Sequence, residues 1–219
     1  MGPRSTEGGA PVAVWDLPIR LFHWVLVLLI AAAWWTAEEE MHEWHERTGL
    51  TILGLVVFRL VWGVIGSSTA RFSSFVKGPR EIADYLRGRG ANVLGHNPVG
   101  ALSVLALLAV VAVQVGLGPF ASDEDGLLSG PLSHWISDDS AEKVADLHHD
   151  LFDWLLILIG LHVAAILFYL LVKRDNLLGP MVHGRRSAPP GTAPMEGAPL
   201  WRLIVAVAIA VAVVWIVGS

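Results

Sequence analysis

LHHDLFDWLLILIGLHVAAILFYLLV, residues Leu147 to Val172, decides the fold. After Asp153 it contains no Asp, Glu, Lys or Arg, and the whole stretch is long enough to cross a ~30 Å hydrocarbon core as a helix. Yet it carries His148 and His162. An ionisable side chain in lipid is costly enough to demand a functional reason. At 100° per residue, the 14 residues between these two histidines bring the second back to within about 40° of the first, ~21 Å along the axis. One helix therefore offers two imidazoles on one face at two depths.

Four further apolar blocks extend the pattern: Ile19 to Ala37, Gly49 to Gly66, Pro98 to Gly118 and Trp201 to Val217. With 54% hydrophobic residues, 16% charged residues and a mean hydropathy of +0.57, the chain is too apolar for an ordinary soluble domain. No block alternates apolar with polar residues, which excludes an outer-membrane barrel. Five transmembrane helices are expected. Ala31 to Ala33 resemble a signal-peptide cleavage region, but the embedded His23 and Trp24 favour a retained first span.

Zero cysteines remove thiolate metal sites, iron–sulfur clusters, disulfides and covalent c-type haem attachment. Any metal must be held by histidine or carboxylate. No internal repeat and no nucleic-acid signature is present. The net charge of −5 matters less than its segregation. Arg71, Lys77, Arg80, Arg87 and Arg89 connect spans two and three, and basic residues also precede span one and join spans four and five. These segments should face the cytoplasm. Glu38, Glu39, Glu40, Glu43, Glu46, Asp123, Glu124, Asp125, Asp138, Asp139, Glu142 and Asp146 accompany only Arg47 and Lys143 in the opposite connections. Those should face the periplasm, placing the N-terminus inside and the C-terminus outside a bacterial inner membrane. Several tryptophans fall near the expected water boundaries, as an aromatic belt requires.

His23 near the cytoplasmic start of span one and His45 near the periplasmic start of span two supply partners at both depths. Pairing by depth gives His23 with His162 and His45 with His148. Each pair suits a planar iron porphyrin bound from both sides, which closes both axial positions and favours one-electron transfer over oxygen chemistry. Two haem b groups are the expected cofactors. The alternative is a set of interface histidines bonded between helices, which would explain one histidine better than a matched four. His42 and His149 are adjacent substitutes, but His149 would swing roughly 100° from the face of His162. Gly49 follows His45 by one helical turn and would admit a ring close to the backbone; Gly54 is similar but less aligned. Arg59 stands 14 residues after His45, and Arg20 three before His23. Both could neutralise propionates of the inner haem, with snorkelling the alternative for Arg59. His96 opens GHNP, where Asn97 would cap span three and Pro98 begin it; His96 could also serve quinone protonation. His134 and His183 fall in loops.

The residues from about 12 to 186 resemble the bacterial cytochrome b561 and Ni,Fe-hydrogenase-type di-haem cytochrome b family. The likeness rests on WDLPIRLFHW (Trp15 to Trp24), the step from His45 to Gly49, FRLVWG (Phe58 to Gly63), RFSSFVKGP (Arg71 to Pro79) and GHNP (Gly95 to Pro98). It continues through the LHH to LH interval of span four and NLLGPMVHGRR (Asn176 to Arg186). It implies a four-helix di-haem core with ligands at His23, His45, His148 and His162, and electron exchange between membrane quinone and a periplasmic partner. Such a partner would be a hydrogenase, a dehydrogenase subunit or a c-type cytochrome, and a homodimer is compatible with the fold. Four parts follow: a flexible N-terminus to residue 14, the di-haem domain from 15 to 184, a Pro/Gly/Ala-rich linker from 185 to 200, and a fifth helix from 201 to 219. That helix departs from the family pattern. A stand-alone superoxide:quinone oxidoreductase and a haem-free metal or proton transporter, or a membrane anchor, are the competing functions.

Overall fold

The computed structural model describes residues 10–89, 94–123 and 128–219, so Glu124 and Asp125 of the acidic set lie outside the described residues. A short strand, β1 (Ala10–Ala13), leads into α1 (Leu17–Glu38) and α2 (His42–Ile65). Two small helices, α3 (Phe72–Phe75) and α4 (Pro79–Leu86), precede α5 (Pro98–Leu117). The chain continues as α6 (Asp138–Leu171), α7 (Leu178–His183), strand β2 (Arg185–Ala188) and α8 (Leu200–Val217).

Local chemistry explains where these helices begin and turn. Asp16 caps α1, its Oδ1 accepting the Ile19 amide at 2.8 Å, and Pro18 sits in the first turn where its missing N–H costs nothing. Asn97 caps α5 in the same way, accepting from the Gly100 amide at 2.7 Å, with Pro98 as first helical residue. The expected start of span three is therefore the observed one. Ahead of it, Gly95 takes a φ of +97°, a left-handed conformation that a side chain would strain.

Five helices, α1, α2, α5 (continued to Phe120), α6 and α8, are long and apolar enough to cross a membrane. Leu28, Val64, Leu171 and Trp215 are each about two-thirds exposed or more. Such a surface suits lipid and would be a liability in water. The chain is a multi-pass, all-α membrane protein. Within it α2 is central, flanked by α1, α5 and α8, while α5 also packs on α6. Ile19, Phe58, Trp62, Ala70, Ala206 and Ala210 form one buried cluster, and Ile52, Val56, Leu108, Val111, Val115 and Leu155 the other.

The observed segments differ from the sequence reading in three places. Helix α6 starts at Asp138, not near Leu147, and its 34 residues span ~51 Å, so its acidic first turns run on as helix beyond the apolar stretch. Residues 10–13, assigned to a free N-terminus, pair antiparallel with 185–188, Ala10 opposite Ala188 and Ala13 opposite Arg185. The Pro/Gly/Ala-rich segment is likewise tied down: the Met195 amide bonds the Ala13 carbonyl at 2.9 Å, and the Ser68 amide bonds Glu196 at 3.0 Å. Its α8 lies along α2 rather than apart, with Ala206 and Ala210 buried in the interface.

A candidate di-haem site between the helices

The two ends of the bundle differ in charge, and each carries one histidine pair. At the acidic end, α2 delivers His45 and α6 delivers His148, with ring centroids 6.2 Å apart and planes at 84°. His45 Nδ1 lies 2.9 Å from the Ala33 carbonyl of α1, and His148 Nδ1 lies 3.0 Å from the Gln114 carbonyl of α5. A carbonyl only accepts, so each Nδ1 must carry the proton. Each Nε2 is then the bare nitrogen. His42 and His149, the adjacent substitutes, are exposed instead.

These observations test whether a bis-histidine haem fits. Imidazole nitrogens bond first-row metals at about 2.0 Å, so two rings on opposite sides of one metal have centroids roughly 6 Å apart. The His45 and His148 spacing matches that, and the bonds at Nδ1 are the outer partners a ligating histidine normally has. Beside them a Cβ built on Gly49 would meet no atom within 4 Å, so neighbouring helices do not require a glycine there. Gly54 is different. Its Cβ would stand 2.9 Å from Val214 of α8, which makes it a helix-packing position rather than a ring-facing one.

The basic end gathers His23 of α1, His162 of α6, Arg59 of α2 and His96 of the loop before α5. His162 is an electrostatic neighbour of both His23 and His96, and Arg59 of His96. Arg59 is only 4% exposed, its guanidinium 4.7 Å from the centre of the Phe72 ring. It does not snorkel. His96 packs between Trp15 and Phe75, with centroids at 4.6 and 4.8 Å. Burial pushes its imidazole down to about 4, with the charges of Arg59 and His162 adding to the effect. It is therefore neutral at ordinary pH.

Unpaired polar atoms concentrate at this end. Among the described residues, Arg20 Nε, His23 Nδ1, Arg59 Nη1, Ser67 Oγ and His96 Nδ1 here, and Gln114 Oε1 beside His148, are buried without a hydrogen-bond partner. Buried donors in that state are uncommon unless another group completes them, and an anionic, ring-shaped cofactor would. Arg20 is partly committed elsewhere, since its Nη1 donates to the Val182 carbonyl at 2.6 Å, beside the Trp24 Nε1 bond to Met181. That bond anchors α7 against α1.

Two residues the sequence reading passed over also position the site. Asp16 joins α1 to α2: besides capping, its Oδ2 accepts from Trp62 Nε1 at 2.9 Å. An Asp ahead of Leu-Pro at a helix start was the available signal. Gln114 is a buried amide in α5 whose Nε2 donates to the His148 backbone carbonyl at 2.9 Å. A lone Gln in an apolar run announced nothing about its partner.

Comparison with known proteins decides the family. The profile described as Prokaryotic cytochrome b561 matches residues 14–184. The chain belongs to the prokaryotic cytochrome b561 family. Two curated relatives, each named "Probable Ni/Fe-hydrogenase B-type cytochrome subunit", come from Azotobacter chroococcum mcd 1 and Azotobacter vinelandii. Each is 25% identical over 221 residues, covering 84% of this chain and 92% of its own length. No solved structure matches. Membership makes this chain a membrane b-type cytochrome of electron transfer with haem b as its prosthetic group. The matched region ends at 184, so α8 lies beyond it.

Proposed function

We propose that this b561-family cytochrome passes electrons between a periplasmic redox protein and the membrane quinone pool through two bis-histidine haems. The geometry of His45 and His148 carries the reading: two imidazoles from different helices, ring centroids 6.2 Å apart, each with Nδ1 committed to a carbonyl. His23 and His162 form the second ligand pair. When bound, haem b would supply one-electron chemistry, held by these histidines.

The chain's own residues do the rest. The Ala33 and Gln114 carbonyls hold the outer ligands in the tautomer that presents Nε2. Arg59, fixed over Phe72, offers its unpaired Nη1 to a propionate of the inner haem. Positive-inside asymmetry supports a basic end in the cytoplasm of a bacterial inner membrane and an acidic end in the periplasm. We assign His96, in the loop ahead of α5, to the quinone headgroup; its buried, unpaired Nδ1 supports that reading. The names of the two relatives support a hydrogenase as the redox partner.

Reduced-minus-oxidised spectra with pyridine haemochrome quantification test the ligand set. The wild type should carry two haems per chain. His23→Ala, His45→Ala, His148→Ala and His162→Ala should each retain one. A colourless protein, or a single haem with all four histidines intact, overturns the proposal.

A further inference from the structure

Helix α5 is apolar along its length except for Ser103 and Gln114, and Gln114 is only 8% exposed. A polar side chain in that setting is expensive and asks for a specific partner. An amide needed only to hold helices together could bond any free acceptor on the opposing helix. Gln114 does something narrower. Its Nε2 donates to the backbone carbonyl of His148 at 2.9 Å, while its own backbone carbonyl receives His148 Nδ1 at 3.0 Å.

The two bonds close a ring around a single residue. The side-chain bond fixes where the His148 backbone lies relative to α5, and the carbonyl bond fixes the imidazole about its own χ angles. Without the first, α5 and α6 can slide by a fraction of an ångström, and the Nδ1–H···O bond lengthens with them. That bond matters electronically, because a histidine donating strongly from Nδ1 is a more basic ligand at Nε2. A more basic ligand favours ferric over ferrous iron. His45 has no such clamp: its acceptor is the Ala33 carbonyl alone, a carbonyl that Thr36 Oγ1 also approaches at 3.1 Å. His23 Nδ1 has no partner at all.

We propose that Gln114 is a positioning residue for the outer haem, clamping His148 from side chain and backbone so that its imidazole is held as a strongly donating Nε2 ligand. The inference rests on His148 being an iron ligand, as proposed above. Potentiometric titration and low-temperature EPR of the haem-loaded full chain test it. Gln114→Met keeps the volume and removes the donor. The outer haem's midpoint should rise and its low-spin EPR signal move, with the inner haem unchanged; His148→Ala identifies which wave is which. Gln114→Glu stays protonated in apolar surroundings and donates from nearly the same place, so it should restore the wild-type wave.

Unaltered outer-haem potential and EPR in Gln114→Met overturn the proposal. So does an equal shift of both haems, or a Gln114→Glu protein as displaced as Gln114→Met. Loss of the outer haem in Gln114→Met with retention in Gln114→Glu supports it. Should Gln114→Met not accumulate, Gln114→Asn, polar but one methylene short, replaces it: a shift in Asn but not in Glu supports the clamp, and none in either refutes it. A wild type with one haem would instead refute the ligand reading itself.

Discussion

Gly49 offers a substitution whose effect should reverse with the presence of cofactor. A Cβ there meets nothing within 4 Å, so Gly49→Leu can extend into space that no neighbouring helix fills. Leucine has a better helix propensity than glycine by about 0.7 kcal/mol in a helix interior. The haem-free chain should therefore gain roughly that much, a rise in unfolding midpoint of about 2 °C for a chain of this size. The haem-loaded chain should lose its outer haem, because a four-carbon side chain one turn below His45 occupies the space the macrocycle needs. Protein expressed with haem synthesis restricted or replete, followed by thermal unfolding in detergent and haem counting, measures both signs. A Gly49→Leu protein that keeps two haems with unchanged outer-haem spectra refutes the assignment of that space to a cofactor.

Gly54 provides the counterpart. Gly54→Leu drives its Cβ toward Val214, 2.9 Å away, and should loosen α8 while both haems remain; measured as protease access to the segment before α8, no change would refute the contact. Asp16→Ala removes a helix N-cap of about 1 kcal/mol and a charged acceptor for buried Trp62 of about 1.5–3 kcal/mol. The expected loss is about 2.5–4 kcal/mol by reversible unfolding. A double-mutant cycle with Trp62→Phe should assign the larger share to the pair, and negligible coupling would show that the Trp62 bond contributes nothing.

The transmembrane spans and the histidines within them were legible because lipid makes them so. Hydrocarbon tolerates few ionisable groups, so His148 and His162 in an apolar run stood out, and the helical repeat then fixed their common face. Asn97 and Pro98 were legible for a local reason, since capping needs only the next three residues. The strand pair Ala10–Ala13 with Arg185–Ala188 was not. Four-residue strands that lie 172 positions apart at their closest register, Ala13 opposite Arg185, carry no periodic signal, and the Pro/Gly composition around the second pointed to a free linker. The acidic start of α6 was hidden because its polar residues read as loop, whereas an exposed helix can be polar all round.

A single helix's spacing gives the face of a residue but not what stands opposite it. Gly49 and Gly54 looked nearly alike on α2, and only the placement of α8 separates a glycine with open space beside it from a helix-packing one. Arg20 and Arg59 seemed to share a role for the same reason. Arg59 is held in place over Phe72, while Arg20 gives Nη1 to the Val182 carbonyl and keeps Nε unpaired. The same limit hid Gln114. Both bonds that give it meaning join it to His148, one accepted by that residue's main-chain carbonyl and one donated by its ring, across 34 residues of sequence. Intramembrane histidines advertise themselves by their cost in lipid; the groups that aim them are largely backbone carbonyls, which every residue possesses and no sequence distinguishes.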